Sequence, residues 1–262
     1  MAVSADGHRW FVLNASPDIR EQLARVPHEA SPSEVRSIPI EAVVLTDAEV
    51  DHSLGLVLLR EGRALDLYAT DAVKTVLECD SHVLSVTRAF AAVRHIPLLL
   101  DTTVELHDRH GARVGLTIEA FAVSGDPPRF ASAHTVGHTV GLAIRDARTE
   151  GVLVYVPGCG AFTPPVERRL READAILFDG TFWTDDELVR LGISSATASD
   201  IGHVPVSGPD GSLPRLADSR ASIRVYTHIN NTNPMLLEDS PERRAVTAAH
   251  IVVGDDGMAF EV

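Results

Sequence analysis

Three times this chain runs a short, strand-forming apolar stretch straight into ligand-type side chains. Val43-Val44-Leu45 leads into Thr46-Asp47-Ala48-Glu49-Val50-Asp51-His52. Ala175-Ile176-Leu177-Phe178 leads into Asp179-Gly180-Thr181, and Arg224-Val225-Tyr226-Thr227 into His228-Ile229-Asn230-Asn231. Short β-branched and apolar runs bounded by polar residues read as buried strands. Helix-spaced stretches separate them, which predicts an α/β chain with mixed sheets and helices outside. In such sheets ligands gather just beyond the carboxyl ends of the strands. The pattern therefore constrains the fold and the place of a site together.

The remaining elements follow from the same signals. Trp10 to Asn14 reads as a strand, and Ser16 to Arg25 as a helix with Ser16 as N-cap and Pro17 at the first helical position. Ile38 to Leu45 is the next strand. A helix over Ser53 to Arg60 ends at Glu61-Gly62, with Gly55 allowing close packing at its start. Leu65 to Ala69, Ile96 to Leu100, Val114 to Val123 and Thr139 to Ile144 read as strands. Thr70 to Leu77, Ser85 to Ala92, Pro164 to Ala173 and Ser240 to His250 read as helices. Ile251 to Val253 and Met258 to Val262 are expected to close a hairpin over Gly254-Asp255-Asp256-Gly257. The stretch from Ile193 to Ala217 is long and irregular, the kind of loop that usually carries function. No repeat or linker divides the chain, so a single domain over residues 1–262 is expected.

Composition narrows the partners. Lys plus Arg number 23 and Asp plus Glu 37, a formal net charge of −14. Such a surface repels phosphate backbones, which argues against nucleic acid. The two cysteines, Cys79 and Cys159, form no CxxC pair, so a reduced, cytoplasmic protein without disulfides is expected. No run approaches the roughly 18 apolar residues of a membrane span, and residues 1–7 carry no signal-peptide pattern.

Asp51, His52 and His228, taken together, make a set of two histidines and one carboxylate. Three ligands on one face leave positions open for oxygen and substrate, the arrangement of non-haem Fe(II) oxygenases. Asp47 and Glu49 have the charge for a second, hard-metal site but fit better as exposed acids. Asp179 and His203, in Gly202-His203-Val204-Pro205, are the candidates for proton transfer. Trp183 offers a ring for stacking. Asn230 and Asn231 are candidate substrate-binding amides, or orient His228. His134 and His138 lie in a loop entering a strand, and His138 is the better candidate of the two.

The segments WFVLNASPDIR (10–20), LTDAEVDHSLGLVLLREG (45–62), FDGTFWTDDEL (178–188), GHVPVSG (202–208) and THINNTNPMLLEDSPER (227–243) resemble the pyrroloquinoline quinone (PQQ) biosynthesis protein B family. That family is a branch of the metallo-β-lactamase superfamily. The resemblance implies an αββα sandwich of two mixed sheets with a metal site at one edge. A superfamily hydrolase reads Thr-His-x-His-x-Asp-His where this chain has Thr46 to His52, so two hydrolase histidines are replaced by Asp47 and Glu49. Cys159 stands where the hydrolase fold usually supplies a bridging aspartate, which favours a single metal. One of His134 and His138 falls about where that fold places a further ligand.

The family's own metal ligands fall on Asp51, His52 and His228. The implied role is Fe(II)- and O2-dependent hydroxylation of the tyrosine ring in a Glu-Tyr derived PQQ precursor. The alternatives are a non-enzymatic carrier that transports PQQ or its precursor, and a metal-dependent hydrolase with zinc as the metal. Other pathway proteins and a homodimeric partner are the candidate associations. The family's usual opening, a Gly-rich segment with a Cys-x-Cys zinc cluster, has no counterpart here, and the fold is expected without it.

Overall fold

Parallel pairing accounts for the apolar runs, because a strand flanked on both faces must be apolar throughout rather than alternating. The structure, a computed structural model, describes residues 1–27, 40–59 and 64–262. Its tertiary contacts gather into two units. The first comprises Met1–Ala120, Pro127–Thr139 and Asp146–Arg148; the second comprises Phe121–Asp126, Val140–Arg145 and Thr149–Val262.

The first unit holds β1 (Ala2–Val3), β2 (Phe11–Leu13), α1 (Ile19–Leu23), β3 (Ala42–Val44), α2 (Val50–Ser53), β4 (Leu65–Ala69), α3 (Asp71–Thr75), α4 (Val83–Arg88), β5 (Val93–Pro97) and β6 (Thr103–His107). β7 (Arg113–Ala122) begins in it. A five-stranded sheet runs β1-β2-β3-β4-β5. Its first pair is antiparallel and the others parallel. Leu45, Leu56, Leu67, Leu77 and Leu84 are fully buried in this unit's core, each worth about 1.5–3 kcal/mol relative to exposure.

The second unit holds most of β8 (Val140–Asp146), then β9 (Val152–Val156), α5 (Pro164–Glu172), β10 (Ala175–Asp179), α6 (Glu187–Arg190), α7 (Ser212–Ala217), β11 (Ile223–Thr227), α8 (Pro241–Ala248) and β12 (Val252–Val253). A seven-stranded sheet runs β12-β11-β10-β9-β8-β7-β6. β9 to β12 are parallel, while β8–β9 and β6–β7 are antiparallel. The core of the second unit centres on Val154, Val156, Ile176, Phe178, Tyr226 and Val246. Both sheets are mixed, as the sequence predicts. Among the described residues no helix is long and apolar enough to cross a membrane.

Three expectations are corrected. The helix expected from Ser16 begins at Ile19, with Asp18 at the N-cap. The Ala15 carbonyl instead accepts from the Gly55 amide at 2.9 Å, which holds this segment against the start of the next helical turn. The closing hairpin does not form. β12 pairs in parallel with β11, and residues 258–262 form no strand. A two-residue strand finds its partner through the core it covers rather than through the nearest turn. The helix expected from Ser53 is a short α2 that starts at Val50, followed by a 3₁₀ turn over Leu54–Leu58. Strand β6 was not anticipated. Ile38, Pro39, Glu61, Gly62 and His28 lie outside the described residues.

Gly55 meets a strict requirement. A Cβ added there would lie 2.3 Å from the Ser16 carbonyl oxygen and 2.7 Å from that of Ala15, both backbone atoms. Gly55→Ala is therefore expected to destabilise the protein by about 1–3 kcal/mol through overpacking, read as a lowered urea midpoint with an unchanged slope.

Candidate metal and proton-transfer site

In the first unit, parallel β2 and β3 end in register at Leu13 and Val44, so Asn14 and Thr46 emerge side by side. Asn14 takes a left-handed backbone (φ 59°), and its amide brackets Thr46. Its Nδ2 donates to Thr46 Oγ1 at 2.8 Å, and its Oδ1 accepts from the Thr46 amide at 2.9 Å. Thr46 Oγ1 in turn donates to Asp47 Oδ2 at 2.7 Å. Asp47 also accepts from the Glu49 amide, and both its oxygens lie 2.8 Å from His52 Nδ1.

Asp47 is thus a correction to the sequence reading. It is 4% exposed, not a solvated acid, while Glu49 is half-buried. Burial pushes the Asp47 carboxyl up, but the charge and hydrogen bond of His52 outweigh it and hold the carboxyl low. Burial likewise pushes His52 down, and Asp47 overrides it, so the imidazole pKa is raised. Its Nδ1–H donates to Asp47, which leaves Nε2 as the ring's ligand nitrogen. Asp51, one residue earlier on α2, is exposed.

In the second unit, β9, β10 and β11 run in parallel with Asp179 opposite Thr227. Their carboxyl ends deliver Cys159, Asp179, Thr181 and His228 to one place. Asp179 is fully buried. It accepts from the Cys159 amide (2.9 Å), the Thr181 amide (3.0 Å), Thr181 Oγ1 (2.6 Å) and His203 Nδ1 (2.7 Å). Burial raises its pKa, but His203 and then His228 and Thr181 more than offset this, so the carboxyl is held below its usual range. Cys159 is buried, and loss of solvent together with the Asp179 charge drives its thiol upward, so it is protonated at neutral pH.

His203 reaches Asp179 because its loop is laced to the strands. Val204 N donates to Cys159 O, Val206 N to Phe182 O and Ser207 N to Trp183 O. The rings of His203 and His228 stack with centroids 5.5 Å apart and planes at 18°. His228 has a left-handed backbone (φ 54°), which turns its carbonyl to accept from Thr181 Oγ1 at 2.9 Å. Asp179, His203 and His228 bring ligand-type atoms within 4.8 Å of one another.

The remaining sequence candidates sort by their bonding. Trp183 is half-buried against the second core. Its amide donates to the buried Glu187 at 2.7 Å, and its carbonyl accepts from Ser207. Asn230 Nδ2 donates to Thr232, whose hydroxyl donates to Glu187 at 2.5 Å. Asn231 is exposed. Asn233 spends its side chain on structure, donating to Gly180 O and capping the following turn at Met235.

His138 is buried, with Nε2 3.2 Å from Thr135 Oγ1, whereas His134 is exposed. Asp51 and His52 belong to the first unit and His228 to the second. The sequence reading missed Thr181 and the role of Asp47. A hydroxyl two residues after a strand-end carboxylate, and an acid five residues before a ligand-type histidine, were the available signals.

The beta-lactamase superfamily domain model matches residues 9–229. The coenzyme PQQ synthesis protein B of Gluconacetobacter diazotrophicus is 41% identical over 98% of this chain and 85% of its own length. That of Methylobacterium nodulans is 41% identical over 100% of this chain and 86% of its own. The crystal structure of Zn(2+)-bound PqqB from Methylobacterium extorquens superposes with a TM-score of 0.86 at 37% identity, covering 100% of this chain and 86% of that one. A diphosphatase from the PhnP family shares the fold alone, with a TM-score of 0.63 at 20% identity over 100% of this chain and 83% of its own. With the two mixed sheets and helices of the metallo-β-lactamase fold, this chain belongs to the coenzyme PQQ synthesis protein B family.

Proposed function

We propose that the chain acts in PQQ biosynthesis as an Fe(II)- and O2-dependent hydroxylase of the tyrosine ring in a Glu-Tyr derived precursor, working beside other proteins of that pathway. The metal would be held by Asp51, His52 and His228. The observation that carries this reading is the bonding of the two imidazoles. His52 Nδ1 is engaged by Asp47, and His228 Nδ1 lies 2.7 Å from Thr181 Oγ1. Each ring therefore has Nε2 as its ligand nitrogen, and one carboxylate completes the set typical of non-haem iron oxygenases.

The bonding also speaks against a two-metal hydrolase. Both oxygens of Asp47 are committed to His52, so it is no spare ligand. Cys159, where the hydrolase fold usually has a bridging aspartate, spends its thiol on the Ala161 carbonyl at 3.4 Å. Zinc, bound in the M. extorquens relative, is the alternative metal.

When bound, Fe(II) would activate O2 toward a phenol ring, with an external two-electron reductant and two protons converting the second oxygen atom to water. The protein's own groups do the rest. His203, fixed at Nδ1 by Asp179, takes up and returns the phenol or ring proton at Nε2. Trp183 stacks on the tyrosine ring. Asn231 donates to a precursor carboxylate, and the Asn230 carbonyl accepts from its ammonium group.

The test is oxygen uptake by anaerobically iron-loaded protein mixed with precursor, a two-electron reductant and air. The wild-type chain consumes O2 only with precursor present. His52→Ala/His228→Ala together abolish that uptake, and uptake that survives the double substitution would sink the proposal.

A further inference from the structure

Thr181 Oγ1 has one proton and three close partners: Asp179 Oδ1 at 2.6 Å, His228 Nδ1 at 2.7 Å and the His228 carbonyl at 2.9 Å. The two oxygens can only accept from it. Were the hydroxyl to donate to His228 Nδ1 instead, the Asp179 oxygen would face a hydroxyl lone pair at 2.6 Å inside a buried site, a repulsive contact with no compensation. The proton therefore goes toward the carboxylate, and His228 Nδ1 must donate to the Thr181 oxygen.

We infer that Thr181 is a positioning residue that locks His228 in its Nδ1–H tautomer. The same carboxylate holds His203 directly through its other oxygen, at 2.7 Å from Nδ1. One buried anion thus sets the tautomers of two stacked rings, one by contact and one through the threonine hydroxyl. Both rings carry their lone pair on Nε2. The second-unit residues alone establish this arrangement. Its consequence for metal affinity rests on the ligand set proposed above.

The experiment compares Thr181→Val and Thr181→Ser in the full chain, stripped of metal and labelled with ¹⁵N. Valine keeps the volume and removes the relay; the Thr181 amide still bonds Asp179 at 3.0 Å. Serine keeps the hydroxyl. Long-range ¹H–¹⁵N correlation spectra report each imidazole's tautomer, with His228 assigned by its loss in His228→Gln. The expected result is Nδ1–H at His228 in wild type and Thr181→Ser, and loss of that preference in Thr181→Val, with His203 unchanged in all three. Titration with Zn(II) alone should then show affinity lower by roughly 10–100-fold in Thr181→Val and restored in Thr181→Ser.

An unchanged His228 tautomer in Thr181→Val, or the same change in Thr181→Ser, overturns the inference. A fall in zinc affinity without a tautomer change makes Thr181 a packing residue and overturns it equally. His228→Gln run in the same titration separates the two claims. If it keeps wild-type zinc affinity, the proposed ligand set fails while the tautomer measurement still judges Thr181.

Discussion

Asp179→Asn is expected to lower the free energy of unfolding by about 3–5 kcal/mol, the cost of disrupting a buried, fully hydrogen-bonded carboxylate from one side. The native carboxylate accepts four donors, two from backbone amides, one from Thr181 Oγ1 and one from His203 Nδ1. An amide oxygen can serve the two from Thr181. Its NH2 group then faces the Cys159 amide and the His203 Nδ1–H, donor against donor, in a site without solvent. The pH dependence follows from the direction of the shift. The folded pKa is depressed, so this stabilisation is fully present above the unfolded value of about 3.9. It disappears as the pH falls through the lower folded value. Urea unfolding of metal-free protein should show the largest difference between wild type and Asp179→Asn at neutral pH, shrinking toward pH 2. A difference that stays constant with pH would mean that the charge is not responsible.

His52→Ala and His228→Ala should part company in stability while agreeing in metal loss. Removing His52 strands Asp47 as a buried anion, 4% exposed, whose remaining partners among the described residues are Thr46 and the Glu49 amide. That loss is expected to cost about 3–5 kcal/mol, and Asp47→Asn in the same chain should recover part of it. The His228 side chain is 21% exposed, and Thr181 keeps Asp179 as its acceptor without it, so His228→Ala should cost about 1 kcal/mol. Thermal unfolding of the two metal-free variants side by side checks this. Equal losses would remove the distinction between a ligand held by a buried carboxylate and one held through a hydroxyl.

The sequence carries the fold wherever a segment is long or uniformly apolar. Ala42–Val44 and Ala175–Asp179 become central parallel strands in which every residue is buried. Ser240 before Pro241 is legible as a helix start, and the Ser240 side chain accepts from the Arg243 amide. Short elements are not legible in this way. β12 is two residues long, and its pairing with β11 depends on tertiary packing that no local pattern encodes.

At the site, Asp179 and His228 were visible as polar residues at strand ends and His203 as a histidine in the long loop, and the fold brings these three together. Asp47 was read as exposed because an acid in a loop usually is. Its burial follows from its neighbour Thr46, which bonds it, and from Asn14, which brackets Thr46 from the end of a strand more than thirty residues earlier. Thr181 gave only a weak signal, a hydroxyl two residues after a strand-end carboxylate, and its role emerges only once its proton is accounted for.

Metal content of protein purified without oxygen tests the central claim most directly, with Asp51→Ala and His228→Ala prepared alongside. A single iron per chain in the wild type, lost in both variants, is the predicted result. Two zincs per chain, or iron retained in either variant, would contradict the two-histidine, one-carboxylate site on which the proposed hydroxylation depends.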